Sequence, residues 1–386
     1  MEERTIAHVP GDGAAPEMMK VAREVAVKAA RHDGINLVFE ETPAGWSAFE
    51  KFGDTMPASS LKRIRELGIV FFGGVGSPLL DDALGKAHPG MKPETHCLLK
   101  IRDTLGLLVN KRPVIITEEL KRLTRLKIGK LPPGGIHQIW LRFLKQDTYF
   151  GTADLIHLVP PEIAALIGLK LKPDVTGDEE RVVEFAYYSK AELEKYFRAA
   201  FKLAKSLGLP VISGDKANIM ARYAYWRIIM QRIHDEEFPD VPLTHQLVDS
   251  LNGLLFSPER LHAVIVCGNE QGDTATDGAN AIFKELGLMF SSSVNVDTGE
   301  AMFESGAGTA YTLAGSDVAN PIGRIRTAGL MLEHVGAPNG AKAIDEIFFE
   351  LVREGYRTCD IFDPDEDDPG KLVGTAGMGG LFLARL

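Results

Sequence analysis

An α/β fold on a mainly parallel sheet is what this sequence predicts, on three observations. Short apolar strands alternate with amphipathic helices through the first half of the chain, the βαβα order from which parallel sheets are built. One of those strands, GIVFFGGV at 68–75, is a buried, continuously apolar run ending in glycines. No G-x-G-x-x-G follows the first strand and no Walker A sequence occurs, which excludes a Rossmann dinucleotide fold.

The elements follow in order. TIAHV (5–9) reads as a strand, and APEMMKVAREVAVKAARH (15–32) as a helix with its apolar positions at helical spacing. NLVFEET (36–42) is the next strand. After the glycine-ended strand, KPETHCLLKIRDTL (92–105) is a helix begun by a proline near its N-terminus. The middle changes character: QIWLRFLKQDTYFGTADLIHLV and a VVEFAYY segment are strand-like, split by PPEIAALIGLKLKPDVTGDEER. A long helix (190–207), a strand (LPVISGD) and a second helix (217–235) come next. HAVIVCG (262–268) is a buried strand feeding a helix that carries Asp273 and Asp277. The tail is a strand–loop region followed by two helices, and DPDEDDPG (363–370) reads as a solvated acidic loop.

With 386 residues, 45% hydrophobic and 25% charged, the chain is an ordinary globular protein of one large domain or two intimate ones. Its net charge of −10 argues against nucleic acid or an anionic membrane as partner. A chain this acidic must concentrate its arginines locally if it is to hold an acidic ligand. Cys97, Cys267 and Cys359 lie far apart and form no CxxC pair, so reduced thiols and a cytoplasmic setting are expected. MEERTIAHVPGDG lacks an apolar signal core, and no apolar run reaches ~18 residues, so neither secretion nor membrane spanning is expected.

The chemistry concentrates in GDTATDGAN (272–280), GDKAN (214–218) and THQLVDSL (244–251). Asp273 and Asp277 are four residues apart on the expected helix, so both carboxylates leave one face. Asp249 adds a third acid in an otherwise apolar run, and Lys216 a titratable amine. Singly, each is an ordinary solvated residue. Together the three acids make an oxygen-only site suited to Mg²⁺ or Mn²⁺, with the Lys216 amine beside it. Arg102, Arg112 and Arg142 supply guanidinium forks, which match carboxylates bidentately.

IAHVPGDGAAPEM (6–18), FFGGVGSP (71–78), LLKIRDTLGLLVNKRPV (98–114), DTYFG (147–151), SGDKANIMARYAYWR (213–227), LVDSL (247–251), GNEQGDTATD (268–277) and DVANPIGRI (317–325) occur in that order. Any one of these motifs is weak. Their order and spacing resemble the metal-dependent β-decarboxylating dehydrogenases, the family of isocitrate, 3-isopropylmalate, homoisocitrate, tartrate and D-malate dehydrogenases. The resemblance runs from about residue 5 to the C-terminus. It implies an isopropylmalate-dehydrogenase-like two-domain fold, with parallel and mixed sheets flanked by helices. The large domain would comprise 1–107 and 284–386, and the small domain 108–283 would carry a β arm that interlocks a homodimer. The active site would lie in the cleft between the domains.

By the same resemblance, Arg102, Arg112 and Arg142 hold the carboxylates of the substrate. Thr95, Leu98 and Leu99 precede the first arginine, where the family reads the C3 substituent. Asp273 and Asp277, with the partner subunit's Asp249, would hold the metal. Lys216, working with a metal-bound Asp, matches the group that takes the C2 hydroxyl proton, and Tyr149 the group that protonates C3 after decarboxylation. Ser77, Asn218, Glu304, Gly308, Thr309, Thr312 and Asn320 fall along NAD or NADP.

Departures cluster on the cofactor side. Where the family usually reads HGSAPDIAG, this chain has AGTAYTLAG (307–315), with Ala307 for the histidine and Thr312 for the ribose-binding Asp of NAD-selective members. GDGIGPE becomes GDGAAPE with Ala14 and Ala15, ENLFGD becomes GNEQGD with Glu270 and Gln271, and the acid after the third arginine is Phe143. CLLKIR (97–102) resembles both isopropylmalate enzymes and the SLLKFR of tartrate and D-malate enzymes. The expected activity is therefore oxidation and decarboxylation of a (2R)-2-hydroxy di- or tricarboxylate, most like 3-isopropylmalate or malate/tartrate. The alternatives are a specialised biosynthetic dehydrogenase on a malate analogue, or a non-catalytic regulatory paralogue that binds a dicarboxylate.

Overall fold

The computed structural model describes residues 1–150, 152–156, 181–282 and 286–386. The insert that splits the strand-like middle lies mostly outside the described residues. The strands are β1 (Glu2–Val9), β2 (Ile35–Glu41), β3 (Ile69–Phe72), β4 (Val109–Ile116), β5 (Ile136–Phe143), β6 (Thr152–Ile156), β7 (Arg181–Phe185), β8 (Val211–Asp215), β9 (Leu243–Leu247), β10 (Ala263–Cys267), β11 (Ser291–Val294) and β12 (Ala301–Glu304). The helices are α1 (Ala15–Ala30), α2 (Trp46–Phe52), α3 (Ala58–Leu67), α4 (Pro78–Ala87), α5 (Lys100–Thr104), α6 (Lys190–Leu207), α7 (Ala221–Glu237), α8 (Val248–Leu254), α9 (Asn269–Asn280), α10 (Ile322–His334), α11 (Pro338–Glu354) and α12 (Thr375–Arg385).

Among the described residues, ten strands form one sheet in the order β2-β1-β3-β12-β11-β4-β5-β10-β8-β9. Six neighbouring pairs are parallel, but the three central pairs, β12–β11, β11–β4 and β4–β5, are antiparallel. Alternation of strand and helix in the first half foretold the parallel flanks. The antiparallel centre brings β11 and β12, late in the chain, beside strands from its first half. The first five strands in that order come from 1–107 and 284–386, and the other five from 108–283. β6 and β7 stand apart as an antiparallel pair. QIWLRF, the start of the strand-like middle, belongs to the core strand β5 and not to the β6–β7 pair.

Side-chain alternation divides the core into layers. Along β5, Ile136 and Trp140 join the layer of α1, α10, α11 and α12, while Ile139, Leu141 and Phe143 pack with α6 and α7. β10 alternates likewise, with Ala263, Ile265 and Cys267 on the first side and Val264 and Val266 on the second. In the other half of the sheet, Phe71 and Phe303 face the first layer, and Val70, Phe72 and Met302 face α3 and α5. This placement explains Phe143. It is fully buried and meets Tyr188, Tyr196 and Trp226 edge-on, at ring separations of 5.5, 5.3 and 6.3 Å. An ionised side chain here would sit in an aromatic core without a partner.

Other details differ from the expected elements. The helix expected over 92–105 opens as a wide π-type turn over Glu94–Leu99 before tightening into α5. The helix expected at 217–235 starts later, at Ala221, because 217–220 form a turn whose Met220 N–H bonds the Lys216 carbonyl. α12 was not foreseen. The acidic loop is not wholly solvated: Asp367 is buried between Arg122 and Arg357, whose charges offset its desolvation. None of the three cysteines is in a disulfide, and among the described residues no helix is long and apolar enough to cross a membrane.

Candidate active site

The three arginines meet at a cleft of about 480 Å³ lined by Arg102, Arg112, Arg142, Tyr149, Asp273 and Asp277. Strand register explains the meeting. Arg112 on β4 and Arg142 on β5 share the parity of the residues facing the first core layer, and Asn110 lies directly opposite Arg142. Helix α9 packs over that face. Gly272 permits the approach, since a Cβ there would lie 3.0 Å from both Cβ and Cγ of Arg142. Arg102 arrives from α5 on another element and donates to Glu304 at 2.7 Å.

Each guanidinium is held before any ligand arrives. Arg142 donates through Nε to Asn269 at 2.9 Å and through Nη1 to Asp273. Arg112 donates to Asn110 at 2.8 Å and Thr276 at 2.7 Å, and its Nη2 lies 3.1 Å from Asp273. Burial, with the like charges of Arg112 and Arg102, pulls Arg142 down to about 9, so it stays protonated at neutral pH. Burial alone would raise the Asp273 carboxyl, but Arg142 and Arg112 together hold it below the usual carboxylate range. Asp277, one turn on, goes the other way: burial raises it, Arg112 opposes this, and Asp273 adds to it.

Tyr149 donates to Asp273 Oδ2 at 3.0 Å, with the Arg142 guanidinium carbon 5.2 Å from its ring centre. Burial and then the Asp273 charge push the phenol above its ordinary value. It is therefore a protonated donor at neutral pH, beside the arginines. Glu94, Thr95, Leu98 and Leu99 line the same cleft from the wide turn, together with Val75 and Met289. His96 does not; it faces Asp54 at 3.0 Å.

Lys216 and Asp249 are elsewhere. They pair with each other at 2.8 Å and do not line the arginine cleft. Asn218 is exposed beside them and lines a separate hollow with Gln246 and Ser250. Among the described residues, no three His, Cys, Asp or Glu side chains of one chain converge on a metal position. Asp273 and Asp277 still fit a hard cation as a two-carboxylate half-site: both leave one face of α9, and Asp277, raised by burial and by Asp273 despite Arg112 at 3.4 Å, would gain from a cation beside it.

On the cofactor side, the backbones of Gly74, Gly306 and Gly308 rim the cleft next to Glu304, so a ligand there meets main chain rather than side chains. Arg324, fully buried, clasps the Gly73 and Gly308 carbonyls at 2.6 Å each, and the Ala14 N–H bonds the Thr309 carbonyl at 2.9 Å. Thr312 is exposed. This open rim fits a nicotinamide dinucleotide through backbone contacts, without a carboxylate at position 312. Ser77 is fully buried and caps α4 by accepting from the Leu80 N–H at 3.4 Å. Both ends of the Asn320 amide are engaged, one by Asp360 at 2.9 Å and the other by the Ile322 N–H at 2.9 Å.

Asn110, Asn269 and Thr276 escaped the sequence reading. A signal for Asn269 was present: with Asp273 and Asp277 it makes an i, i+4, i+8 row on one helix face. Asn110 and Arg112 likewise share a strand face at i, i+2.

The sheet order and the converging guanidiniums define an α/β protein with a cleft built for a small polyanion. The isocitrate/isopropylmalate dehydrogenase family profile matches residues 5–381. Relatives named 3-isopropylmalate dehydrogenase are 31% identical over 383 residues in Rhodopirellula baltica and 32% identical over 382 in Moorella thermoacetica. The first match covers 99% of this chain and 99% of the relative, the second 99% and 98%. The solved isocitrate dehydrogenase of Methylococcus capsulatus superposes with a TM-score of 0.79 at 26% identity, covering 99% of both chains. A β-decarboxylating dehydrogenase from Thermococcus kodakarensis shares the fold, with a TM-score of 0.73 at 24% identity over 99% of this chain and 96% of that one. The chain belongs to the isocitrate/isopropylmalate dehydrogenase family. It is an oxidoreductase acting on a CH–OH group, of the β-decarboxylating kind.

Proposed function

We propose that this enzyme oxidises a 2-hydroxy dicarboxylate of the 3-isopropylmalate or malate/tartrate type and decarboxylates the β-keto acid, with NAD or NADP and Mg²⁺ or Mn²⁺. The observation that carries the reading is the convergence of three buried arginines on one cleft that also holds Asp273, Asp277 and a protonated Tyr149. Arg102, Arg112 and Arg142 bind and orient the two carboxylates. Leu98, Leu99 and Val75 give the C3 substituent an apolar wall, which favours an alkyl group over a third carboxylate. Tyr149 holds the proton that C3 receives after CO₂ leaves. Bound by Asp273, Asp277 and the partner subunit's Asp249, the metal would supply Lewis acidity at the C2 oxygen, and the nicotinamide would supply the hydride acceptor.

Lys216 takes the C2 hydroxyl proton, acting in the cleft of a second copy. Two features support this arrangement. The Lys216–Asp249 pair does not line its own arginine cleft. Ile219, Tyr225, Ile228 and Phe256, which lie within about a dozen residues of Lys216 or Asp249 in sequence, are exposed apolar side chains of the kind a homodimer buries. In this reading, 1–107 with 284–386 and 108–283 are the two domains, with the cleft between them, and β6–β7 belongs to the dimer arm. The altered loop at 307–315 favours, as a second reading, a specialised enzyme acting on a malate analogue.

The test is reduction of NAD and of NADP with Mn²⁺ across 3-isopropylmalate, isocitrate, D-malate, tartrate and 3-alkylmalates. Chelator-sensitive turnover with one of them identifies substrate and coenzyme together. A folded, dimeric protein silent on the whole panel would overturn the reading and leave the malate-analogue or dicarboxylate-binding alternatives.

A further inference from the structure

Two consecutive non-glycine residues, Gln146 and Asp147, hold left-handed backbone angles, φ 58° and 62°, just before Tyr149. Such a pair persists only where the surroundings over-determine it, and it gathers at functional positions. Here the surroundings converge on one carboxylate. Asp147 is fully buried, and its Oδ2 accepts from the Tyr188 hydroxyl at 2.7 Å and from the Asn269 N–H at 3.0 Å. Its Oδ1 lies 3.5 Å from Arg222 Nη2. Its backbone N–H bonds the Tyr187 carbonyl at 3.2 Å, and Gln146 Oε1 accepts from the Ser189 N–H at 2.7 Å. Gly268 is part of the design, since a Cβ there would strike the hydroxyls of Tyr223 and Tyr188 at 2.4 and 2.5 Å and Asp147 Oδ2 at 2.9 Å.

The placement matters because both ends of the Tyr149–Asp273 hydrogen bond hang from this carboxylate. Tyr149 is two residues downstream of Asp147. Asp273 is one turn along α9 from Asn269, whose backbone Asp147 holds and whose side chain holds Arg142. We infer that Asp147 is a positioning residue: its buried carboxylate locks the loop 144–149 onto the N-terminus of α9 and so fixes the Tyr149 hydroxyl on Asp273 among the substrate arginines. The inference rests on the reading of Tyr149 as the proton donor. It supplies what that reading lacks, a reason why an exposed tyrosine on a short loop stays in register with the cleft.

The test is a double-mutant cycle on the full-length enzyme, with Asp147→Asn, Tyr149→Phe and the pair, assayed with Mn²⁺ and NAD on the best substrate of the panel. Asp147→Asn should lower kcat about tenfold or more, with KM unchanged within about twofold, because misplacing a reacting group acts on the rate. In the Tyr149→Phe background it should add nothing. An equal loss in both backgrounds, or no loss in the single variant, overturns the inference. Asp147→Gly, which accepts the left-handed angle freely, serves where the Asn variant does not fold, with the same expected outcome.

If the wild type is silent on the panel, the catalytic reading fails and the positioning claim is decided by ¹⁹F spectra of 3-fluorotyrosine-labelled protein. Asp147→Asn must then move or broaden the Tyr149 signal, assigned by its loss in Tyr149→Phe. An unchanged signal overturns the claim.

Discussion

Arg142→Lys is the sharpest perturbation of the cleft, because it keeps the charge and removes the geometry. The guanidinium uses Nε on Asn269 and Nη1 on Asp273, two bonds in divergent directions that one ammonium cannot reproduce. Asn269 is fully buried, so its amide oxygen would lose a charged donor without gaining water. Leaving such an acceptor bare costs about 1–3 kcal/mol of folding stability. Loss of the fork to a substrate carboxylate costs about 1.5–3 kcal/mol of binding, or roughly 10–150-fold in KM. Initial rates with the panel substrate, NADH fluorescence titration and thermal melts read these effects separately. This role of Arg142 requires a KM rise of that size, an NADH affinity unchanged within about twofold, and a lower Tm. A KM unchanged within about twofold, or equal weakening of substrate and NADH, would refute it.

Other outcomes follow from the same geometry. Lys216→Ala and Tyr149→Phe should each lose about 10²–10⁴ in turnover, yet after subunit exchange a mixture should regain about a quarter of wild-type activity, since half the dimers carry one intact site. No recovery from exchanged dimers would show that the site is not shared. His8 is buried, and burial, with Arg23 adding to it, lowers its pKa to about 3. The unfolded chain therefore binds the extra proton between about pH 6.5 and 3, so stability is full above that window and falls through it by up to about 1.4 kcal/mol per unit. In urea titrations His8→Phe should flatten that slope, and an unchanged slope would assign the acid sensitivity to other groups. Phe143→Glu, which restores the acid usual in the family, should destabilise the protein by several kcal/mol through a carboxylate buried among Tyr188, Tyr196 and Trp226. A melt within about 1 °C of wild type would contradict that placement.

Much of the architecture was legible because it is local. The helix over 190–207 occurs at those residues, and the strand expected at 68–75, which forms over Ile69–Phe72, and the acid pair four residues apart needed only helical or strand periodicity to be recognised. Order and spacing of the motifs likewise named the family and singled out three arginines and Tyr149, which the structure gathers at one cleft. What the sequence by itself determined is therefore the periodic elements and the residue types on each face. Tertiary structure alone decided which faces meet. Arg102 finds Glu304 across 202 residues and Arg142 finds Asp273 across 131, and nothing near either residue in sequence specifies those pairings. The antiparallel centre of the sheet, the burial of Asp367 and the left-handed pair at Gln146 and Asp147 have the same cause. Each is favourable only once distant segments have excluded water from it, and the desolvation that gives those contacts their strength does not exist in the local chain.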